Sequence, residues 1–355
     1  MNNLIYKLIA LIVLVFSFAV GAYWYQYNTY LQAPLSLGST LNYEVKPGDN
    51  LTRIIYNLHK EGVVTQPSFL LWYARWNVDA NAIHVGEYEL SPAVTGQELV
   101  NIFVSGKVKQ YAFTIIEGWT FEEMVEKLKS QDNLKHVLPG VTNKRIDSAA
   151  IMRELGYTGV HPEGRFMPDT YHYTRSMTDI QLLQRAYVAM EDYLQSAWLV
   201  RAKNIAIQSP YEALILASII EKETGVVSER QTISGVFSRR LKKRMRLQTD
   251  PTVIYGMGDR YKGNIRRKDL KRDTPYNTYT RFGLPPTPIA LPSREAIDAA
   301  LHPDNESYLY FVAKGNGSHY FSDTLDEHNN AVIKYQLKGK KRSFSSSKNT
   351  PQKKH

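Results

Sequence analysis

The chain has 355 residues, 43% hydrophobic, 22% charged and 12% aromatic, which describes an ordinary globular protein of about two to three domains and excludes wholesale disorder, collagen and a multi-span membrane protein. It has no cysteine, which excludes a disulfide framework, a thiolate zinc site, an iron–sulfur cluster and a cysteine nucleophile, and leaves the compartment open. The net charge of +10 is concentrated on a tail, Tyr335 to His355, with seven basic residues and no acidic one. That tail is expected to be disordered from residue 337 onward, so it is no argument for a nucleic-acid partner.

Leu8 to Tyr25 is a run of 18 residues without a charge, at the short end of what crosses a bilayer. Lys7 and the terminal amine precede it, and the next charge is Glu44. This asymmetry places residues 1–7 in the cytoplasm and the rest outside. Small residues at Ala19, Gly21 and Ala22 allow a cleaved signal peptide as the rival, but the Tyr23-Trp24-Tyr25 cluster favours an uncleaved interfacial anchor. Residues 26–40 are expected to be a polar linker.

Tyr43 and Val45 alternate as in a strand, Pro47-Gly48-Asp49-Asn50 reads as a turn with a helix cap, and Leu51, Ile54, Ile55 and Leu58 follow at helical spacing. The pattern recurs at Phe113, Ile115, Gly118, Phe121, Met124, Val125 and Leu128, with a looser copy from Tyr88 to Phe103. Three strand–turn–helix units are therefore expected in residues 41–130, with an added apolar helix at Ser68 to Trp76. The first unit resembles a LysM module, a small fold that holds N-acetylglucosamine-containing glycans.

Residues 131–336 are expected to form a larger mixed α+β domain, making the whole chain α+β. Asp179 to Ala206 reads as a long amphipathic helix, and Pro210 can open the next one. Ala213 to Ile220 (ALILASII) is apolar on almost every side and so must run through a core. It ends in Glu221-Lys222-Glu223-Thr224-Gly225. A carboxylate beside a buried helix is desolvated, which favours its neutral form and suits a general acid working near neutral pH. Glu221 and Glu223 point in different directions on a helix, so at most one faces a given cleft. The following stretches, Met245 to Gly256 and Pro275 to Ile289, alternate aromatic faces with amides and hydroxyls, as a sugar ring and its hydroxyls require. Gly315-Asn316-Gly317-Ser318 reads as a hairpin turn.

The motifs Ile219-Ile220-Glu221-Lys222-Glu223-Thr224, Arg246-Leu247-Gln248-Thr249-Asp250-Pro251-Thr252-Val253-Ile254-Tyr255-Gly256, Tyr276-Asn277-Thr278-Tyr279 and Gly283-Leu284-Pro285-Pro286, with Pro168-Asp169-Thr170-Tyr171 and the His319, Phe321, His328 and Asn329 ending, resemble the YceG-like family of endolytic murein transglycosylases. One departure is Leu291-Pro292-Ser293, where that family usually shows Asn-Pro-Gly. The resemblance implies a bacterial inner-membrane enzyme that cleaves nascent peptidoglycan between N-acetylmuramic acid and N-acetylglucosamine and leaves 1,6-anhydro ends. It implies Glu221 as the catalytic acid and base, and peptidoglycan synthases (penicillin-binding proteins) as neighbours. Glu163, Gln248, Thr249, Asp250, Tyr255, Asn277 and Tyr279 are the candidate substrate-binding residues.

Two alternatives stay open. A lysozyme-like hydrolase would use water and a second carboxylate such as Glu163 or Asp250; a wall-binding anchor would leave Glu221 structural. The histidines are scattered without zinc spacing, and no nucleotide or serine-hydrolase motif occurs, so neither a metal nor a cofactor is expected. The basic run Arg239, Arg240, Lys242, Lys243, Arg244 and Arg246, and that from Arg260 to Arg272, are expected to be mostly solvated faces.

Overall fold

The computed structural model describes residues 2–79, 82–141, 146–337 and 339–340. Most of the basic tail lies outside these. The chain is mixed α+β and divides into two compact units: Met1–Tyr111 with Asn133–Lys135 and His172–Met177, and the remainder.

In the first unit, α1 (Asn2–Gln32) is long and apolar enough from Leu4 to cross a membrane. It runs on to Gln32, into the first part of the segment expected to be a polar linker. Tyr27 and Leu31, spaced for one helix face, are buried against Phe69 and Leu70, and Tyr27 meets the Trp72 ring edge-on at 4.7 Å. Strand β1 (Leu41–Val45) pairs antiparallel with β2 (Gly86–Leu90), with Tyr43 opposite Tyr88. Helices α2 (Leu51–Lys60), α3 (Pro67–Asn77) and α4 (Gly96–Ser105) complete this unit. Asn50 caps α2 by accepting the Arg53 N–H at 2.8 Å, as the turn sequence requires. Burial of Ile54, Ile55, Leu58, Leu99 and Phe103 closes the core; at about 25 cal/mol per Å² of apolar surface, each such side chain contributes roughly 1.5–3 kcal/mol.

The third strand–turn–helix copy belongs mainly to the second unit. Strand β3 (Tyr111–Thr114) leads into α5 (Phe121–Lys129) and is hydrogen-bonded to β4 (Thr170–Tyr173). Between them lies α6 (Ser148–Glu154). Helix α7 (Asp179–Leu199) ends earlier than its pattern implies, and Asn204 turns the chain through a left-handed conformation (φ 59°) in the connection that follows. Helix α8 (Pro210–Glu223) opens with Pro at its first turn behind the Ser209 cap. Every residue from Ala213 to Ile220 is buried. Helix α9 (Arg230–Lys242) buries Ile233, Val236 and Phe237, and α10 (Asp250–Met257) and α11 (Arg267–Lys271) follow. Then come α12 (Arg294–Leu301), the antiparallel hairpin β5 (Tyr310–Ala313) and β6 (His319–Ser322), and α13 (Leu325–Tyr335). The core of this unit is α8, wrapped by α7, α9 and α12.

Candidate functional site

The end of α8 carries two glutamates with different surroundings. The Glu221 side chain is 7% exposed and forms an ion pair with Arg230, itself 9% exposed, at 3.0 Å. Its other oxygen accepts the Ser293 N–H at 2.9 Å and the Ser293 hydroxyl. Arg230 also donates to the Ser293 hydroxyl oxygen at 2.9 Å. Ser293 caps α12, accepting the Ala296 N–H at 3.2 Å. Glu221 therefore joins the ends of α8, α9 and α12, and both its oxygens are engaged.

Glu223 faces the other way. It lines a cleft of about 640 Å³, together with Arg240, Gln248, Asp250, Tyr279, Tyr310, His319, His328 and Asn329. The Thr249 hydroxyl donates to Glu223 Oε1. Burial pushes the Glu223 carboxyl up to about 7; the Thr249 bond opposes this, and the nearby charge of Asp250 reinforces it. Such a group holds a proton for a useful fraction of the time at neutral pH and can give or take it.

The cleft floor is built by the segment before α10. Gln248 sits at φ 54°, a strained conformation for a residue with a Cβ, held by its N–H donating to Thr278 O at 3.2 Å. The buried hydroxyls of Thr252 and Thr278 bond each other at 2.9 Å and donate to the Thr249 carbonyl at 2.8 and 3.3 Å, and the Thr278 hydroxyl oxygen accepts the Thr249 N–H at 3.1 Å. Tyr279 donates its hydroxyl to Asp250 Oδ1 at 2.6 Å; burial is the first cause holding that phenol protonated. Arg240, read as part of a solvated face, is instead a buried strut. It donates to the carbonyls of Leu309 and Leu247 at 2.7 and 2.9 Å and lies over the Tyr310 ring at 5.0 Å. Arg239 likewise reaches Tyr308 O at 2.7 Å and Asp304 at 2.9 Å. Their spacing on α9 puts them toward the hairpin, where backbone carbonyls need donors.

The structure thus brings Gln248, Thr249, Asp250 and Tyr279 around Glu223, whereas Glu163, Tyr255 and Asn277 lie outside that cleft. Glu163 is 4% exposed and accepts the Phe121 N–H at 2.9 Å and the Tyr255 hydroxyl at 3.0 Å. Burial pushes it up to about 7, against those two bonds. Asn277, 1% exposed, donates to the carbonyls of Asp269, Leu270 and Arg272 and accepts the Tyr279 N–H at 2.8 Å. It is a loop staple.

Gly164 fixes the chain beside Glu163. Its φ is +77°, and an added Cβ would lie 2.6 Å from the Pro288 ring and 3.4 Å from Ala290 O. Left-handed strain and overpacking together make Gly164→Ala destabilising by about 2–4 kcal/mol, read as a lowered midpoint in thermal unfolding. No loss of midpoint would mean that the Pro288 loop yields freely.

Sequence reasoning did not identify Glu223, Tyr310, His328 and Asn329 as cleft residues. His328 stacks on Tyr310 at 5.3 Å, and its Nδ1 is buried without a hydrogen-bond partner among the described residues. The His-Asn pair was visible as a motif, but nothing in its distance along the chain shows that α13 closes this cleft.

The sequence profile of the YceG-like family matches residues 43–334. The chain is 31% identical over 317 residues to an endolytic murein transglycosylase of Bacillus subtilis, covering 84% of this chain and 85% of that protein. It is 26% identical over 348 residues to one of Streptococcus pneumoniae, covering 89% of this chain but only 62% of the pneumococcal protein's length. A crystal structure of a YceG-like protein of Listeria monocytogenes is 30% identical, with a TM-score of 0.48 over 82% of this chain and 98% of that one.

Proposed function

This chain belongs to the YceG-like family, and we propose that it is a lytic transglycosylase acting on peptidoglycan, with Glu223 as its acid and base. The observation that carries the assignment is a carboxyl pushed up to about 7 in an open cleft whose wall offers aromatic faces, an amide and a hydroxyl-bearing phenol. Glu221, the residue expected from the motif, has both oxygens committed to Arg230 and Ser293, so we assign it the structural task.

In this reading protonated Glu223 donates to the glycosidic oxygen leaving C1 of N-acetylmuramic acid. The resulting carboxylate takes the proton of the C6 hydroxyl as that oxygen attacks C1. The C1–O bond breaks, a C1–O6 bond forms, and the proton returns to Glu223, so no water is consumed. The nucleophile belongs to the substrate, and a second carboxylate is not required. Asp250 shares the cleft, which is the observation favouring the hydrolase alternative. Its Oδ1, however, already accepts the Tyr279 hydroxyl. Mass spectrometry of the products decides between the two. Anhydro ends, lighter than reducing ends by one water, are expected; reducing ends would establish hydrolysis.

The apolar helix from Leu4 supports a single-pass anchor, with the N-terminus cytoplasmic and the enzyme held near newly made strands. The neighbouring synthases and the LysM-like glycan contact of the first unit belong to the same proposal, supported by sequence resemblance alone.

A further inference from the structure

Residues 257–272 enclose a second concave site of about 450 Å³ in the same unit as the cleft. Its wall carries Arg260, Lys262, Arg266, Lys268 and Arg272, with the amide of Asn264 among them. Among the described residues, none of the five cations forms an ion pair. The nearby carboxylates are bonded to other groups, so neither forms an ion pair with these cations. Asp269, the one carboxylate on the wall, accepts the backbone N–H of Arg266 at 2.9 Å. Asp273 is gripped by Arg281 at 2.9 Å through both oxygens and by Thr280 at 2.8 Å, which together hold its carboxyl down at about 2.

The scaffold under this charge is fixed. Buried Asn277 ties the carbonyls of Asp269, Leu270 and Arg272, and the Arg260 guanidinium is oriented by the carbonyls of Gly256 and Met257 at 3.2 and 3.3 Å. Like charges gathered in a concavity repel one another and concentrate a counter-ion. A monovalent carboxylate leaves most of five cations uncompensated. A phosphate-bearing anion offers several charged oxygens within one small volume, and three guanidinium forks match them bidentately. We propose that this concavity binds a phosphate-bearing anion, with a diphosphate group the best match. The site is distinct from the Glu223 cleft, and the proposal does not depend on the glycan-cleaving reading.

The test uses the full chain in phosphatidylcholine nanodiscs, titrated calorimetrically with inorganic diphosphate. A triple variant, Lys262→Gln, Arg266→Gln and Lys268→Gln, removes three exposed wall cations. A control, Lys203→Gln, Lys242→Gln and Lys243→Gln, removes the same charge from exposed positions elsewhere. Saturable one-site binding is expected, weakened about tenfold or more in the wall variant and less than about twofold in the control. Competition by soluble dihexanoyl phosphatidylglycerol identifies a lipid headgroup as an admissible source of the phosphate; failure to compete leaves a free or substrate-borne diphosphate. Absence of saturable binding, citrate binding as tightly as diphosphate, or equal losses in the two variants would each overturn the proposal.

Discussion

Glu223→Gln is expected to lower the rate of glycan-strand cleavage by about 10³-fold or more while leaving the protein folded. General acid–base catalysis by one positioned group contributes typically 10²–10⁴-fold, and here the same carboxyl both gives and takes the proton. The amide fills the same space and keeps an oxygen for the Thr249 hydroxyl, so the cleft should survive. Stability supplies an internal check. The folded carboxyl sits near 7, above an unfolded value near 4.3, so the folded state binds more protons between those values and stability is lost as pH rises from about 4.3 to 7. Removing the carboxyl removes that loss. Relative to the parent, the variant should therefore gain up to about 3 kcal/mol on going from pH 4 to pH 8. A variant that unfolds, or one that cleaves at near the parental rate, contradicts the assignment.

Glu221→Gln is expected to do the reverse, costing stability rather than chemistry. The Arg230–Glu221 pair is almost closed to solvent, at 9% and 7% side-chain exposure. Removing one member strands the other's charge, at about 3–5 kcal/mol for a buried pair. The Ser293 hydroxyl and Glu295, at 3.8 Å, remain near Arg230 and soften the loss, so about 2–4 kcal/mol is expected. That corresponds to roughly 5–15 °C in midpoint for a domain of this size. Folded Glu221→Gln should retain cleavage within about tenfold of the parent, because the cleft beside Glu223 is unchanged. Removing both charges as Arg230→Leu with Glu221→Leu should recover much of the stability, since an apolar replacement of the whole pair leaves no buried charge behind. If the double variant is no more stable than Glu221→Gln alone, the pair is not what joins the three helix ends.

These contrasting expectations arise at the point where the sequence was least legible. Ala213 to Ile220 declares a core helix without ambiguity, and the caps at Asn50 and Ser209, the inward face of α9 and the β5–β6 hairpin follow from local chemistry. A helix buried on all sides has no polar face to set its rotation. The two glutamates at its end lie about 200° apart around the axis, and nothing within α8 tells which one meets the cleft. That is decided by Arg230, nine residues later, and Ser293, on the far side of the loop region. Asn277 and Tyr255 were drawn into the site by composition, since buried amides and phenols that staple a loop look in sequence like those that grip a sugar. The continuation of α1 had a signal in Tyr27, Tyr30 and Leu31 at helical spacing, masked by the polar residues between them.

The pH dependence of kcat/KM for glycan-strand cleavage tests the role of Glu223 most directly, because it reports the protonation of the essential group in the free enzyme. A reaction that starts with proton donation by Glu223 must lose rate as pH rises through about 7, where burial first and the Asp250 charge second hold its proton, and Asp250→Asn, which removes that like charge, is expected to move this limb to lower pH. A profile whose falling limb lies near 4.5 and ignores Asp250→Asn would contradict the account and return the acid's role to another carboxyl.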